Sequence, residues 1–185
     1  MIELTKLFRS AAEGSLPHAC FLSSADNSAA EALARQLAAR FCGLSTPEAL
    51  RDCPDYFEPE LPLRAEALRS LLDELMKAPF QSRGHAVLLR KAHQLDVKLQ
   101  NILLKTLEEP PRDTLFLLCG NSAAMLPTVL SRCALLPMGI ERRDETKNAL
   151  LSLGAGAEEA ALYSAMGGGS RERLRRLDNE GNLPV

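Results

Sequence analysis

The chain has 185 residues, a net charge of -2, 46% hydrophobic and 25% charged residues, and only 4% aromatic residues. This is the balance of a globular protein with an aliphatic core, and it excludes a disordered or strongly basic chain. Any contact with nucleic acid must therefore be local or made through partners.

In chain order, Ile2 to Ala12 is predicted as a first helix. Ala19 to Leu22 is a short apolar strand. Ser28, with Glu31 three residues later, reads as a capping box opening a helix to about Cys42. Thr46-Pro47 signals a short helix, and Asp55 to Glu58 a second strand closed by Pro59. Ala65 to Lys77 is amphipathic, with Leu68, Leu71, Leu72 and Leu75 at helical spacing. Ala86 to Leu89 is a buried-type strand. Val97 to Glu109 is a helix stopped by Pro110-Pro111. Leu115 to Cys119 is a fourth strand, Pro127 to Arg132 a short helix, and Cys133 to Met138 a fifth strand.

After Gly139 the strands cease. Asp144 to Leu153, Ala157 to Met166 and Ser170 to Leu177 read as three short helices punctuated by glycine. The expected organisation is an α/β unit over 1–139, with a five-stranded parallel sheet flanked by helices, and a small helical domain over 140–185. No stretch approaches the roughly 20 apolar residues that span a bilayer. The N-terminus lacks the pattern of a signal peptide. Five cysteines with no C-x-x-C pair read as free thiols of a reducing, cytoplasmic setting.

In such folds the loop after the first strand is where phosphates bind, against the N-terminus of the next helix. Here it reads Ser23-Ser24-Ala25-Asp26-Asn27-Ser28-Ala29-Ala30. A phosphate loop needs glycines to curl around the anion and a lysine to neutralise it. This loop has neither, and Asp26 would repel phosphate. Ser24, Asn27 and Ser28 are the polar groups that remain. The third strand ends in Arg90-Lys91, where nucleotide hydrolysis needs an acid to hold Mg²⁺. The pair is either a solvated basic surface or a contact for phosphate or nucleic acid. Asn121, after the fourth strand, is either a turn former or a polar γ-phosphate sensor.

Two stretches are specific. Asn101 to Pro111, N-I-L-L-K-T-L-E-E-P-P, and Leu126 to Cys133, L-P-T-V-L-S-R-C, stand in that order with a strand between them. Together they resemble the delta-prime-type subunits of the bacterial DNA polymerase III clamp loader, an AAA+ family. His18 to Phe21, Cys53-Pro54-Asp55, Lys77 to Phe80 and Met166 to Leu177 resemble further segments of that family. The resemblance implies an AAA+ core with a helical lid. It implies that Arg132, flanked by Ser131 and Cys133, is an arginine finger acting in trans on a neighbouring subunit's ATP and Mg. The chain's own nucleotide site is then degenerate, with no cofactor of its own. The implied partners are the clamp loader ATPase subunits, the delta subunit, the sliding clamp and, through the complex, primer-template DNA. A delta-type clamp-opening subunit, an active ATPase with an atypical phosphate loop, and a scaffold outside replication are the alternatives. The family's zinc module needs four cysteines, and the corresponding interval holds only Cys42 and Cys53, so no metal is expected. The family's third, collar domain has no counterpart here, so the isolated chain is expected to be a monomer.

Overall fold

The computed structural model describes residues 4–23 and 27–137. The helical domain expected over 140–185 lies outside the described residues, as do Ser24, Ala25 and Asp26 of the loop.

The elements follow in alternation. Helix α1 (Leu4–Glu13) precedes strand β1 (Ala19–Ser23) and helix α2 (Asn27–Phe41). A 3-10 turn, Pro47–Asp52, leads to β2 (Tyr56–Phe57) and α3 (Ala65–Glu74). Then come β3 (His85–Leu89), α4 (Val97–Glu108), β4 (Thr114–Gly120), α5 (Pro127–Leu130) and β5 (Ala134–Pro137). The five strands form one sheet in the order β2-β3-β4-β1-β5. All pairs are parallel, with Ala19 opposite Phe116, Cys20 opposite Ala134 and His85 opposite Thr114.

Strand residues point alternately to the two faces, so each strand feeds two core layers. Cys20, Leu22, Ala86, Leu88, Leu115 and Leu117 pack with Leu37, Ala38 and Phe41 of α2. Their neighbours Ala19, Phe21, Val87, Leu89, Phe116 and Leu118 pack with Leu68 of α3 and Leu103 and Leu107 of α4. This explains why the strands read as continuous apolar runs rather than as alternating patterns.

Three local features fix the framework. Asp96 caps α4, its carboxylate accepting the Leu99 N–H at 2.7 Å. The buried Asp55 carboxylate accepts the N–H groups of Phe80, Gln81 and Ser82 at 2.6, 2.8 and 2.7 Å. It pins the loop before β3 to the start of β2. Gly84 lies directly against the connection from α4 to β4. A Cβ built on it would stand 1.8 Å from the Asp113 carbonyl oxygen, a clash with backbone rather than with a yielding side chain. Gly84→Ala is therefore expected to destabilise the protein by at least about 3 kcal/mol, measured as a lowered midpoint of urea unfolding.

Candidate functional site

Arg132 is positioned by a short helix that the rest of the fold holds at both ends. Gln100, buried in α4, donates through Nε2 to the Leu95 carbonyl at 2.8 Å. Its Oε1 accepts the Leu126 N–H at 2.8 Å, tying the residue before α5 to α4. Pro127 opens α5 with the φ a first helical residue needs. Val129 is fully buried and anchors the turn. At the other end, the Ser131 hydroxyl donates to the Thr128 carbonyl at 3.0 Å, and the Cys133 N–H donates to Leu130 at 3.1 Å. Burial pushes the Cys133 thiol up to about 11, so it packs as an inert group. Helix α5 ends two residues earlier than the segment predicted, because Ser131 closes it as its C-cap.

The Arg132 guanidinium is one-third exposed, with a side-chain accessibility of 33%. Its Nη1 donates to the Thr128 carbonyl at 2.8 Å and to Ser131 Oγ at 3.4 Å. Its Nη2 pairs with Glu108 Oε1 at 2.5 Å. Glu108 is the last residue of α4, where the carbonyl ends of the helix add to the negative potential that an arginine favours.

Arg132 stands two residues before β5, at the edge of the sheet where the strands begin. The same edge carries the end of α4, since His18 Nε2 lies 3.1 Å from the Leu107 carbonyl. Of the residues expected to touch a nucleotide, Asn27, Ser28 and Asn121 stand at the opposite edge, where the strands end. A strand of five residues separates the two edges by about 15 Å.

At that opposite edge, α2 begins at Asn27, so Ser28 lies inside its first turn rather than at the N-cap where the capping box placed it. Glu31 sits 3.8 Å from Arg35, one helical turn on. Arg90 is not half of a solvated basic pair either. Its Nε is buried and 2.9 Å from Glu58 Oε1, although its N–H is not aligned as a hydrogen bond. Glu58 also accepts Arg35 Nε at 3.1 Å and the Tyr56 hydroxyl at 2.5 Å. Burial pushes the Glu58 carboxyl up, but the Arg35 guanidinium and the Tyr56 hydroxyl outweigh it and hold it below the ordinary range. Burial and the nearby Glu58 push the Tyr56 hydroxyl up. Two guanidiniums thus share one carboxylate beside the end of β3. Lys91 follows in a left-handed turn, φ 46°, and is exposed.

Asn121 follows β4, its Oδ1 accepting the Ala123 N–H at 3.0 Å and its N–H donating to His93 Nδ1 at 3.3 Å. That is turn geometry, with the side-chain oxygen committed to its own backbone. Cys42 and Cys53 are both buried, and burial, with the neighbouring Cys53, pushes the Cys42 thiol up to about 12. Among the described residues no group of three or more His, Cys, Asp or Glu side chains could hold a metal ion. Nor is any helix among them long and apolar enough to cross a membrane.

Sequence reasoning did not find Glu108, Gln100, Glu58 or Arg35 as site residues. Only the Glu31–Arg35 spacing carried a local signal, being i,i+4 on one helix.

The sequence model of the family described as DNA polymerase III, delta subunit, matches residues 2–140. The chain is 35% identical over 138 residues to the DNA polymerase III subunit delta' of Pseudomonas aeruginosa, covering 69% of this chain and 42% of that protein. It therefore spans less than half the length of that relative. Among solved structures, a DNA polymerase III gamma subunit-related protein of Thermotoga maritima superposes with a TM-score of 0.65 at 20% identity, covering all of this chain and 64% of that one. The Thermotoga maritima RuvB Holliday junction branch migration motor superposes with a TM-score of 0.64 at 16% identity, over 95% of this chain and 58% of that one. Both likenesses are of fold, and the fold is an AAA+ α/β core.

Proposed function

Because this chain belongs to the family described as DNA polymerase III, delta subunit, and is of its delta-prime type, we propose that it is a non-catalytic clamp loader subunit whose Arg132 serves a neighbouring subunit's ATP. Its partners in this reading are the clamp loader ATPase subunits, the delta subunit, the sliding clamp and primer-template DNA. The ATP and Mg²⁺ belong to the neighbouring subunit, and the work takes place in the cytoplasm.

One observation carries the reading. Arg132 lies at the edge where the strands begin, while its own chain's phosphate region lies where they end. About 15 Å of sheet intervenes, more than an arginine side chain reaches. A guanidinium so placed meets a triphosphate only across an interface between subunits. There its planar fork matches phosphate oxygens and stabilises the charge that develops on them.

The state of the chain's own site supports the non-catalytic half. The loop lacks Gly and Lys, and the end of β3 holds Arg90 against Glu58 instead of an acid free to take Mg²⁺. An active ATPase needs both. Purified full-length protein titrated with MgATP is expected to show no saturable binding up to millimolar concentrations. Micromolar, Mg²⁺-dependent binding would overturn this half of the proposal and restore the atypical ATPase.

A further inference from the structure

The reading of Arg132 as a trans-acting finger leaves its contacts within its own chain unexplained. Both terminal nitrogens of the guanidinium are committed. Nη1 is held by Thr128 and Ser131, and Nη2 by Glu108. A phosphate that takes the end of the fork in a two-point contact needs those same nitrogens. The carbonyl of Thr128 is a neutral acceptor on α5, four residues before the arginine, and carries no charge to rival a phosphate. Glu108 differs. It is an anion on a different helix, at the end of α4, and it offers the guanidinium what a phosphate offers.

We infer that Glu108 is a positioning residue that holds Arg132 in a resting orientation and must yield it to the neighbouring subunit's triphosphate. This inference rests on the finger reading and adds a competitor to it. The pair suits such an exchange. Its side chains are 33% and 44% exposed, so neither charge is buried and separating them strands no desolvated ion. An exposed pair of this kind favours its closed arrangement only modestly. The fraction of subunits with a free finger is then lowered by a small factor, and the apparent efficiency of the adjoining site falls by the same factor. A triphosphate, with its higher charge, outcompetes a single carboxylate once the subunits close. The arrangement keeps the finger ordered in the free subunit without opposing it strongly in the complex.

The test uses the reconstituted clamp loader with full-length subunits. Glu108→Gln removes the charge and keeps the shape. It is expected to raise kcat/KM for ATP at the adjoining site by about two- to fivefold in low salt. The gain should fade as salt rises from about 0.05 M to about 0.5 M, where exposed charges are screened. Glu109→Gln makes the same charge change one residue on, on an exposed side chain, and is expected to leave kcat/KM unaltered. In an Arg132→Ala background, Glu108→Gln should have no further effect. A lowered or unchanged kcat/KM in Glu108→Gln, or an equal gain in Glu109→Gln, overturns the competing role of Glu108. If Arg132→Ala itself leaves hydrolysis intact, the finger reading fails, and this inference with it. If Arg132→Ala slows hydrolysis while Glu108→Gln changes nothing, the inference alone fails.

Discussion

Arg132→Ala in the full-length protein is expected to slow ATP hydrolysis at the adjoining site of the reconstituted clamp loader by about 10³-fold or more, the loss that follows removal of an arginine finger. The same variant should fold and assemble as the parent does. Its pairing with Glu108 is exposed, and pairs of that kind contribute at most about 1 kcal/mol to stability. The helix that carries it is held by other groups: Val129 in the core, Gln100 on the Leu126 N–H, and Pro127 at the helix start. Arg132→Lys should recover little of the activity. Lysine supplies the charge but not the planar fork, and two-point contact with phosphate is lost. Steady-state hydrolysis by the three complexes, with unfolding curves of the three subunits, checks this. An alanine variant that both loses activity and unfolds early would point to a structural role instead.

The second large effect is on stability. Asp55→Ala leaves the N–H groups of Phe80, Gln81 and Ser82 without their acceptor in a site where Asp55 itself is 1% exposed. Phe80 and Gln81 are exposed and Ser82 half-buried, so water can reach part of the freed N–H groups, and the variant should lose about 2–3 kcal/mol in chemical denaturation. Asp55→Asn keeps an acceptor oxygen and should recover part of it. The loss should also depend on pH. Burial pushes the Asp55 carboxyl up, but the three backbone donors outweigh it and hold its folded pKa below the ordinary value. Glu58 is held low in the same sense. A group depressed in the folded state adds stability that is complete above its unfolded pKa, about 4, and is lost as pH falls through the folded value. The stability gap between the parent and Asp55→Ala should thus be constant at neutral pH and shrink below about pH 4. A gap that widens on acidification would contradict the assignment.

Much of the architecture was legible from the chain alone because the signals were local. The apolar runs at Ala19 to Leu22, Ala86 to Leu89 and Leu115 to Cys119 became β1, β3 and β4 with a residue or two added at their ends. Pro110-Pro111 stopped α4, and Pro127 started α5. The second strand was weaker. Only Tyr56 and Phe57 pair, since Pro59 follows at once and Asp55 turns inward to the loop at Phe80 to Ser82. Ser28 and Glu31 had the right spacing for a capping box, yet α2 begins a residue earlier and Glu31 faces Arg35. What the sequence could not display were contacts between residues far apart in it. Arg90 reads as solvated because its partner Glu58 lies far from it in the chain, just past the end of β2. Glu108 stood inside a recognisable stretch, but nothing local showed that it meets Arg132 across two helices. The position of Arg132 relative to its own phosphate loop likewise depended on strand order, which no local pattern encodes.

The central claim is that Arg132 serves a site outside its own chain. The most direct measurement uses clamp loaders in which a single ATPase subunit retains its phosphate-loop lysine, either the one that adjoins this subunit or one that does not. Each complex is assembled with the parent or the Arg132→Ala protein, and single-turnover hydrolysis is followed. The account predicts a loss of about 10³-fold or more when the adjoining subunit is the active one, and no change when a distant one is. An equal loss in both complexes, or none in either, would contradict it.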